Sequence, residues 1–231
     1  MTLLLFPNLL GDLPDHSPFL PISVDEAMAS IDGLIAESEK GGRRFLSRFK
    51  HPKKTHEIPI ALLNKHNQDY DFLLEPCLAG ETWGVISDSG VPCLADPGAL
   101  LVARARERGI KVEAFVGPSS IVLALMLSGL PGQTFHFHGY LPKDSTRRDE
   151  AIRETSRASG TQIYIEAPHR NAATLEALLR ELPERAKLCV AWDLTLSSQK
   201  VMTEKVATWR KLPLPKIQKK PTIFLFYGKT S

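Results

Sequence analysis

One stretch constrains this chain more than any other. The apolar run Trp83-Gly84-Val85-Ile86-Ser87 leads directly into Asp88-Ser89-Gly90-Val91-Pro92-Cys93-Leu94-Ala95-Asp96-Pro97-Gly98. A short run without polar alternation suits a strand buried on both faces of a parallel sheet, and parallel strands need long crossovers, usually helical. The loop that follows carries two carboxylates, and its glycines allow a ligand to approach the backbone. Asp88 is placed to accept hydrogen bonds from a ribose or a cationic amino group, whereas Asp96, just before Pro97, reads as the N-cap of the next helix.

The flanking sequence repeats the alternation of strand and helix. Met1 to Phe6 reads as a first strand, Ser23-Val24-Asp25-Glu26 as a capping box opening a helix, and Gly33 to Ala36 as a second strand. Arg43 to Phe49 predicts a short basic helix stopped before Pro52, and Ile58 to Leu63 a further strand. A helix from Pro97-Gly98 to Arg108, closed by Gly109, precedes a strand over Ile110 to Val116. The run Ile121 to Leu127 is apolar on every side, so it is expected as buried central packing. Beyond it, strands are expected at Thr134–His138, Thr161–Ile165, Lys187–Ala191 and Thr222–Tyr227, with helices near Asp149–Ala158 and Asn171–Leu182. The pattern predicts an α/β chain of two domains, 1–116 and 117–231, mostly parallel at least in the first.

Composition adds exclusions. With 231 residues, 43% hydrophobic and 24% charged, the chain is neither disordered nor fibrous. Cys77, Cys93 and Cys189 form no CxxC pair, so neither a disulfide framework nor a clustered zinc site is read from them, and a reducing cytoplasm suits them. The apolar start meets Pro7 and Asp12 too soon for a signal core or a membrane span, so no membrane role is expected. The formal net charge of +3 hides an uneven distribution. Residues 1–39 hold seven acids and no Lys or Arg, whereas residues 40–56 hold seven Lys or Arg and no acid. From Gln199 to the end, eight basic residues face Glu204 alone. Charge by itself admits either solvated faces or a track for a polyanion such as RNA.

Several chemistries lack their motif. GxGxxG and GxxxxGK[ST] are absent, which argues against a conventional dinucleotide or nucleotide-hydrolysing site. His136 and His138 would share one face of a strand, but no second ligand pair stands at metal spacing, and no metal is expected. Ser119 and Ser120 follow Gly117-Pro118 without a nucleophile elbow; they suit free helical N–H groups, which a ligand's polar group could also use.

Taken in order, GVISDSGVPCLADPG, VGPSS with its apolar helix, SGLPGQTFHFHGYLP and IEAPHRN resemble the tetrapyrrole methylase superfamily of S-adenosylmethionine-dependent methyltransferases, and within it the branch acting on small-subunit ribosomal RNA. The resemblance runs from LFPNLLGD to PTIFLFYG. It implies two α/β domains with the methyl donor, S-adenosylmethionine, in the cleft between them. Carried over residue by residue, it implies donor contacts from Pro7, Leu10, Asp88, Val91, Ser120, Ile121, Ile165 and Ala167. It also implies a homodimer, and the cysteines suit a cytoplasmic location. The EAPHR signature brings forward Glu166, His169 and Arg170. A ribose hydroxyl acceptor needs a base or a strong hydrogen-bond acceptor, and Glu37, His66, Glu166 and His169 are the candidates. Arg43, Arg44, Arg48 and Arg170 are the candidate RNA contacts.

The chain departs from this pattern in its substrate-side motifs. Where relatives carry AEDTR-like and YHEHN-like stretches, it has Ala36-Glu37-Ser38-Glu39-Lys40 and Leu63-Asn64-Lys65-His66-Asn67, and 231 residues are expected to leave no room for the branch's small C-terminal region. Three readings therefore stand: methylation of ribosomal RNA at a ribose 2'-hydroxyl, methylation of a porphyrinoid or other small acceptor, and a non-catalytic module binding the donor or RNA.

Overall fold

The structure, a computed structural model, describes residues 1–63 and 69–228. The chain divides into two compact units, Met1–Ser119 and Ser120–Ser231, so the turn Gly117-Pro118-Ser119 closes the first unit instead of opening the second.

The first unit comprises β1 (Thr2–Leu5), α1 (Ile22–Met28), β2 (Gly33–Ala36), α2 (Glu39–Leu46), a single 3-10 turn (Thr55–Glu57), β3 (Ile60–Leu62), α3 (Tyr70–Leu78), β4 (Thr82–Val85), α4 (Ala99–Glu107) and β5 (Lys111–Ala114). Its sheet has the order β3-β2-β4-β1-β5 and every pairing is parallel. Alternate residues of one strand therefore serve opposite faces. Leu4 and Leu34 join Phe6, Val24, Met28 and Phe45 on one side, whereas Leu3 and Ile35 join Leu73, Leu74, Trp83 and Leu101 on the other. Burial on both faces explains why these strands read as unbroken apolar runs.

Local details depart from the sequence expectation. Ser23 is not the cap of α1; the helix starts at Ile22 after Pro21, and its cap makes no side-chain hydrogen bond. The second helix begins at Glu39 rather than Arg43, because Ser38 accepts a hydrogen bond from the Gly41 N–H and starts it one turn earlier. Gly41 and Gly42 masked this start, since glycine is a poor helix former. Pro76 lies inside α3 and hid that helix in the same way; Asp69, accepting from the Phe72 N–H, is its cap.

The second unit comprises α5 (Ser120–Ser128), β6 (Phe135–Tyr140), α6 (Ser145–Ser156), β7 (Thr161–Glu166), α7 (Asn171–Glu181), β8 (Lys187–Trp192), β9 (Lys200–Lys205), α8 (Val206–Trp209) and β10 (Thr222–Tyr227). Its sheet runs β6-β7-β10-β8-β9, with β6 parallel to β7 and the remaining pairs antiparallel. At its centre β10 buries Ile223, Phe224, Leu225 and Phe226. The edge strand β9, not expected from the sequence, carries a lysine at each end, a common protection for an open edge.

Contrary to the expectation of full burial, α5 packs by one stripe only. Ile121 and Ala124 face inward, while Val122, Met126 and Leu127 are 47%, 72% and 48% exposed. A helix laid on a sheet covers one side of its circumference, whatever the composition of the other. Among the described residues no helix is long and apolar enough to cross a membrane.

Phe224→Ala, which empties a fully buried site, is expected to cost about 3–5 kcal/mol in urea unfolding of the intact chain.

Candidate active site

Because all five strands of the first sheet point the same way, their C-terminal ends share one edge. Ligands in open α/β sheets bind at that edge, where strand order reverses. Here the chain leaves β1, builds β2 and β3 outward on one side, returns to place β4 between β2 and β1, and then adds β5 beyond β1. The loops after β1, β2, β4 and β5 meet at that reversal.

Asn8 joins two of them. Its buried carboxamide donates to the Ser87 carbonyl at 3.0 Å and the Asp88 carbonyl at 3.2 Å, and its Oδ1 accepts from the Leu9 N–H at 2.9 Å. The Asn8 N–H adds a 2.7 Å bond to the Gly90 carbonyl. Ser87 Oγ donates to the Ser89 carbonyl at 3.0 Å. Two glycines permit close approach. A Cβ at Gly117 would sit 2.1 Å from the Pro7 Cβ, and Gly90, at φ +76°, brings its backbone beside Leu10. Pro7 is thereby buried, and Leu10 and Val91 are left partly exposed.

Three carboxylates gather here. Glu37 Oε1 accepts from the Asp88 N–H at 3.0 Å. Ser38 Oγ donates to Asp88 Oδ1 at 3.3 Å, and a Cβ on Gly41 would lie 2.3 Å from that same oxygen. Burial raises Glu37 above the ordinary carboxylate range; the Asp88 N–H opposes the shift and the Asp88 carboxylate adds to it. Asp96 is pushed up to about 6 by burial and by the charges of Glu37 and Asp88, against a hydrogen bond with Ser87. Asp96 is not the helix cap expected from the sequence. That position belongs to Gly98 at φ +133°, where a Cβ would meet Cys93 Sγ at 2.7 Å. Cys93 and Ala95 also adopt left-handed φ values of 68° and 71°, so this loop holds strained backbone beside its acids.

The other sequence candidates fall in different settings. Ser120 begins α5 and Ile121 is buried beneath it. Ile165 lies on β7 opposite Ile223 and Tyr140. The Ala167 N–H is taken by Glu166 Oε1 at 2.8 Å. Glu166 is buried, accepts from Thr174 Oγ1 at 2.7 Å and pairs with Arg170 at 3.2 Å. Arg170 in turn donates to the Leu141 and Pro142 carbonyls. Both side chains hold the β7–α7 corner. His169 is exposed, and His66 lies outside the described residues.

Arg43 donates to the Thr55 and Ile58 carbonyls at 2.6 and 2.7 Å, and Arg48 to the Leu13 carbonyl at 2.7 Å, so two of the expected RNA contacts are spent on the fold. Arg44 is exposed. His136 and His138 stack at 6.2 Å, and no cluster that could hold a metal occurs among the described residues. Sequence reading missed Asn8, Ser38 and Asp96 as site residues. Its available signals were a lone amide inside the apolar run Phe6–Leu10 and a Gly-Gly pair following a serine.

Residues 24–209 match the family described as Tetrapyrrole (Corrin/Porphyrin) Methylases. The chain belongs to this family. As a tetrapyrrole methylase it is an S-adenosylmethionine-dependent methyltransferase. It is similar to the ribosomal RNA small subunit methyltransferase I of Vibrio cholerae, 31% identical over 90% of this chain and 70% of the relative. Its fold resembles that of the methyltransferase CobJ, with TM-score 0.65 and 16% identity over 98% of this chain and 93% of that one. It also resembles the Thermus thermophilus uroporphyrin-III C-methyltransferase in complex with S-adenosyl homocysteine, with TM-score 0.57 and 16% identity over 98% and 96% of the two chains.

The first unit's edge fits such a donor. The donor carries a cationic sulfonium and amino group and ribose hydroxyls, and the edge offers the carboxylates of Glu37, Asp88 and Asp96 as acceptors.

The raised Asp96 gives a test with a defined sign. An acid that binds its proton more tightly in the folded chain loses stability on ionising, so the cost is absent below about pH 4, grows through pH 6 and is constant above it. Asp96→Asn should therefore melt higher than wild type at pH 8, and the difference should close by pH 4. An equal difference at both pH values would refute the described carboxylate group.

Proposed function

We propose that this methyltransferase acts on small-subunit ribosomal RNA, methylating a ribose 2'-hydroxyl, with the edge of the first sheet as the donor site. The carrying observation is the convergence of Glu37, Asp88 and Asp96 on loops held together by Asn8. The similarity to the Vibrio cholerae enzyme supports ribosomal RNA as acceptor. In this reading Pro7, Leu10 and Val91 line the apolar part of the donor, and Asp88 accepts its hydrogen bonds.

The donor supplies an electrophilic methyl carbon bound to a sulfonium sulfur. The protein must align that carbon with the acceptor oxygen and remove the hydroxyl proton as the new carbon–oxygen bond forms. Glu37 suits the second task. It is half-buried, its proton affinity is raised, and the Asp88 N–H fixes its orientation. Glu166 suits it poorly, since its oxygens already accept from Thr174, Ala167 and Arg170. A cytoplasmic location accords with three free cysteines. The exposed Met126 and Leu127 on α5 support assembly as a homodimer.

Isothermal calorimetry should show S-adenosylmethionine binding that Asp88→Ala weakens at least about tenfold, a loss of roughly 1.4 kcal/mol. Glu37→Gln should keep donor affinity but slow methyl transfer into undermethylated small ribosomal subunits by about 100-fold or more. Donor binding without any transfer into ribosomal RNA would favour a small acceptor. In light scattering, Met126→Asp should convert a dimeric wild type to monomer; an unchanged mass would reject the α5 interface.

A further inference from the structure

The basic stretch 40–56 separates into two populations once folded. Arg43 and Arg48 point their guanidinium groups at backbone carbonyls and have neighbouring acids, Glu39 at 3.6 Å and Asp12 at 3.7 Å. Lys40, Arg44, Lys50, Lys53 and Lys54 are exposed, and none makes an ion pair with a described residue. They lie on neighbouring backbone. Lys40 and Arg44 are one turn apart on α2. Arg43, reaching from that helix to the Thr55 and Ile58 carbonyls, fixes the end of the segment carrying Lys50, Lys53 and Lys54, and His51 Nε2 is 3.0 Å from the Ile31 carbonyl.

This arrangement runs against the protein's internal electrostatics. Lys40 occupies the first turn of α2, where the helix end is already positive and a cation is unfavourable. Lys40 and Arg44 stand at i and i+4, where like charges repel. The acids bordering the group are Glu39, beside Arg43, and Glu57, which accepts from the Lys54 N–H. They leave the five cations in excess. Surplus positive charge on neighbouring backbone, without a counter-charge among the described residues, fits an external polyanion. The same helix begins at Ser38, whose hydroxyl holds Asp88, so the charged face grows directly out of the candidate donor site.

We infer that the exposed edge formed by Lys40, Arg44, Lys50, Lys53 and Lys54 is the surface that docks the phosphate backbone of the substrate RNA. This rests on the reading of RNA as acceptor. Neutralising phosphates releases counterions, so each contact adds to the dependence of affinity on salt and carries no base specificity itself.

The test compares wild type with three variants, one of them Lys40→Gln/Arg44→Gln alone, in binding a transcript of bacterial small-subunit ribosomal RNA across a series of salt concentrations, with S-adenosylmethionine calorimetry as the check on folding. One variant changes Lys40, Arg44, Lys50, Lys53 and Lys54 to Gln. The second changes Lys200, Lys205, Lys211 and Lys216, exposed lysines of the other basic stretch, to Gln. The expected result is that the first variant binds donor normally, loses at least tenfold in RNA affinity at low salt, and has a log–log salt slope shallower by about 3. The second should stay within about twofold of wild type. Wild-type RNA binding with an unchanged first variant would overturn the docking surface and leave the RNA reading standing. Should wild type itself show no salt-dependent RNA binding, the RNA reading falls, and this surface with it. A loss confined to Lys40→Gln/Arg44→Gln, reproduced without the other three changes, would place docking on α2 alone and overturn the five-residue edge.

Discussion

The site in the first unit depends on one buried carboxamide. Asn8 bonds to the carbonyls of Ser87 and Asp88 and, through its own backbone, to Gly90. Those bonds bind the loop after β1 to the loop after β4. A parallel sheet brings such loops to one edge but does not set their spacing, because no ladder hydrogen bonds continue beyond the strand ends. A buried amide satisfied on both sides does set it, since leaving either partner unpaired costs more than the bond contributes. The backbone contact of Gly117 on Pro7 closes the same edge from the β5 side.

Electrostatics then shape the edge. Burial weakens the solvation of Glu37 and Asp96, and the neighbouring acids add repulsion, so both bind their protons more tightly. Ser38 bears on this balance. Its hydroxyl both caps α2 and donates to Asp88. An aspartate would add a further negative charge to the group; serine relieves it while keeping the capping oxygen.

Elsewhere, residue type misled where the partner decided the role. Glu166 and Arg170 read as chemistry because charged pairs in a motif often are. In the fold they satisfy each other, the Thr174 hydroxyl and the carbonyls of Leu141 and Pro142. Arg43 and Arg48 read as phosphate contacts, but their long side chains reach carbonyls 12 to 35 residues away in sequence. In the opposite sense, α5 read as interior because Ile121 to Leu127 are all apolar, yet contact with the sheet covers one stripe of it.

Short apolar runs, their spacing and the Gly/Pro loop after Ser87 were enough to establish alternating strands and helices and a parallel first sheet. Those properties follow from local chemistry: backbone period, turn residues and the need to bury both faces of a parallel strand. Family membership was legible for the same reason, in ordered loop motifs. Only the tertiary structure decided that Asn8 clamps the loops, that Asp96 belongs to a carboxylate group and not to a helix cap, and which basic residues remain uncompensated. Each of these depends on a partner distant in sequence, such as Ser87 for Asn8, Glu37 for Asp96 and Thr55 for Arg43. No local pattern encodes which polar group meets which once the chain has closed.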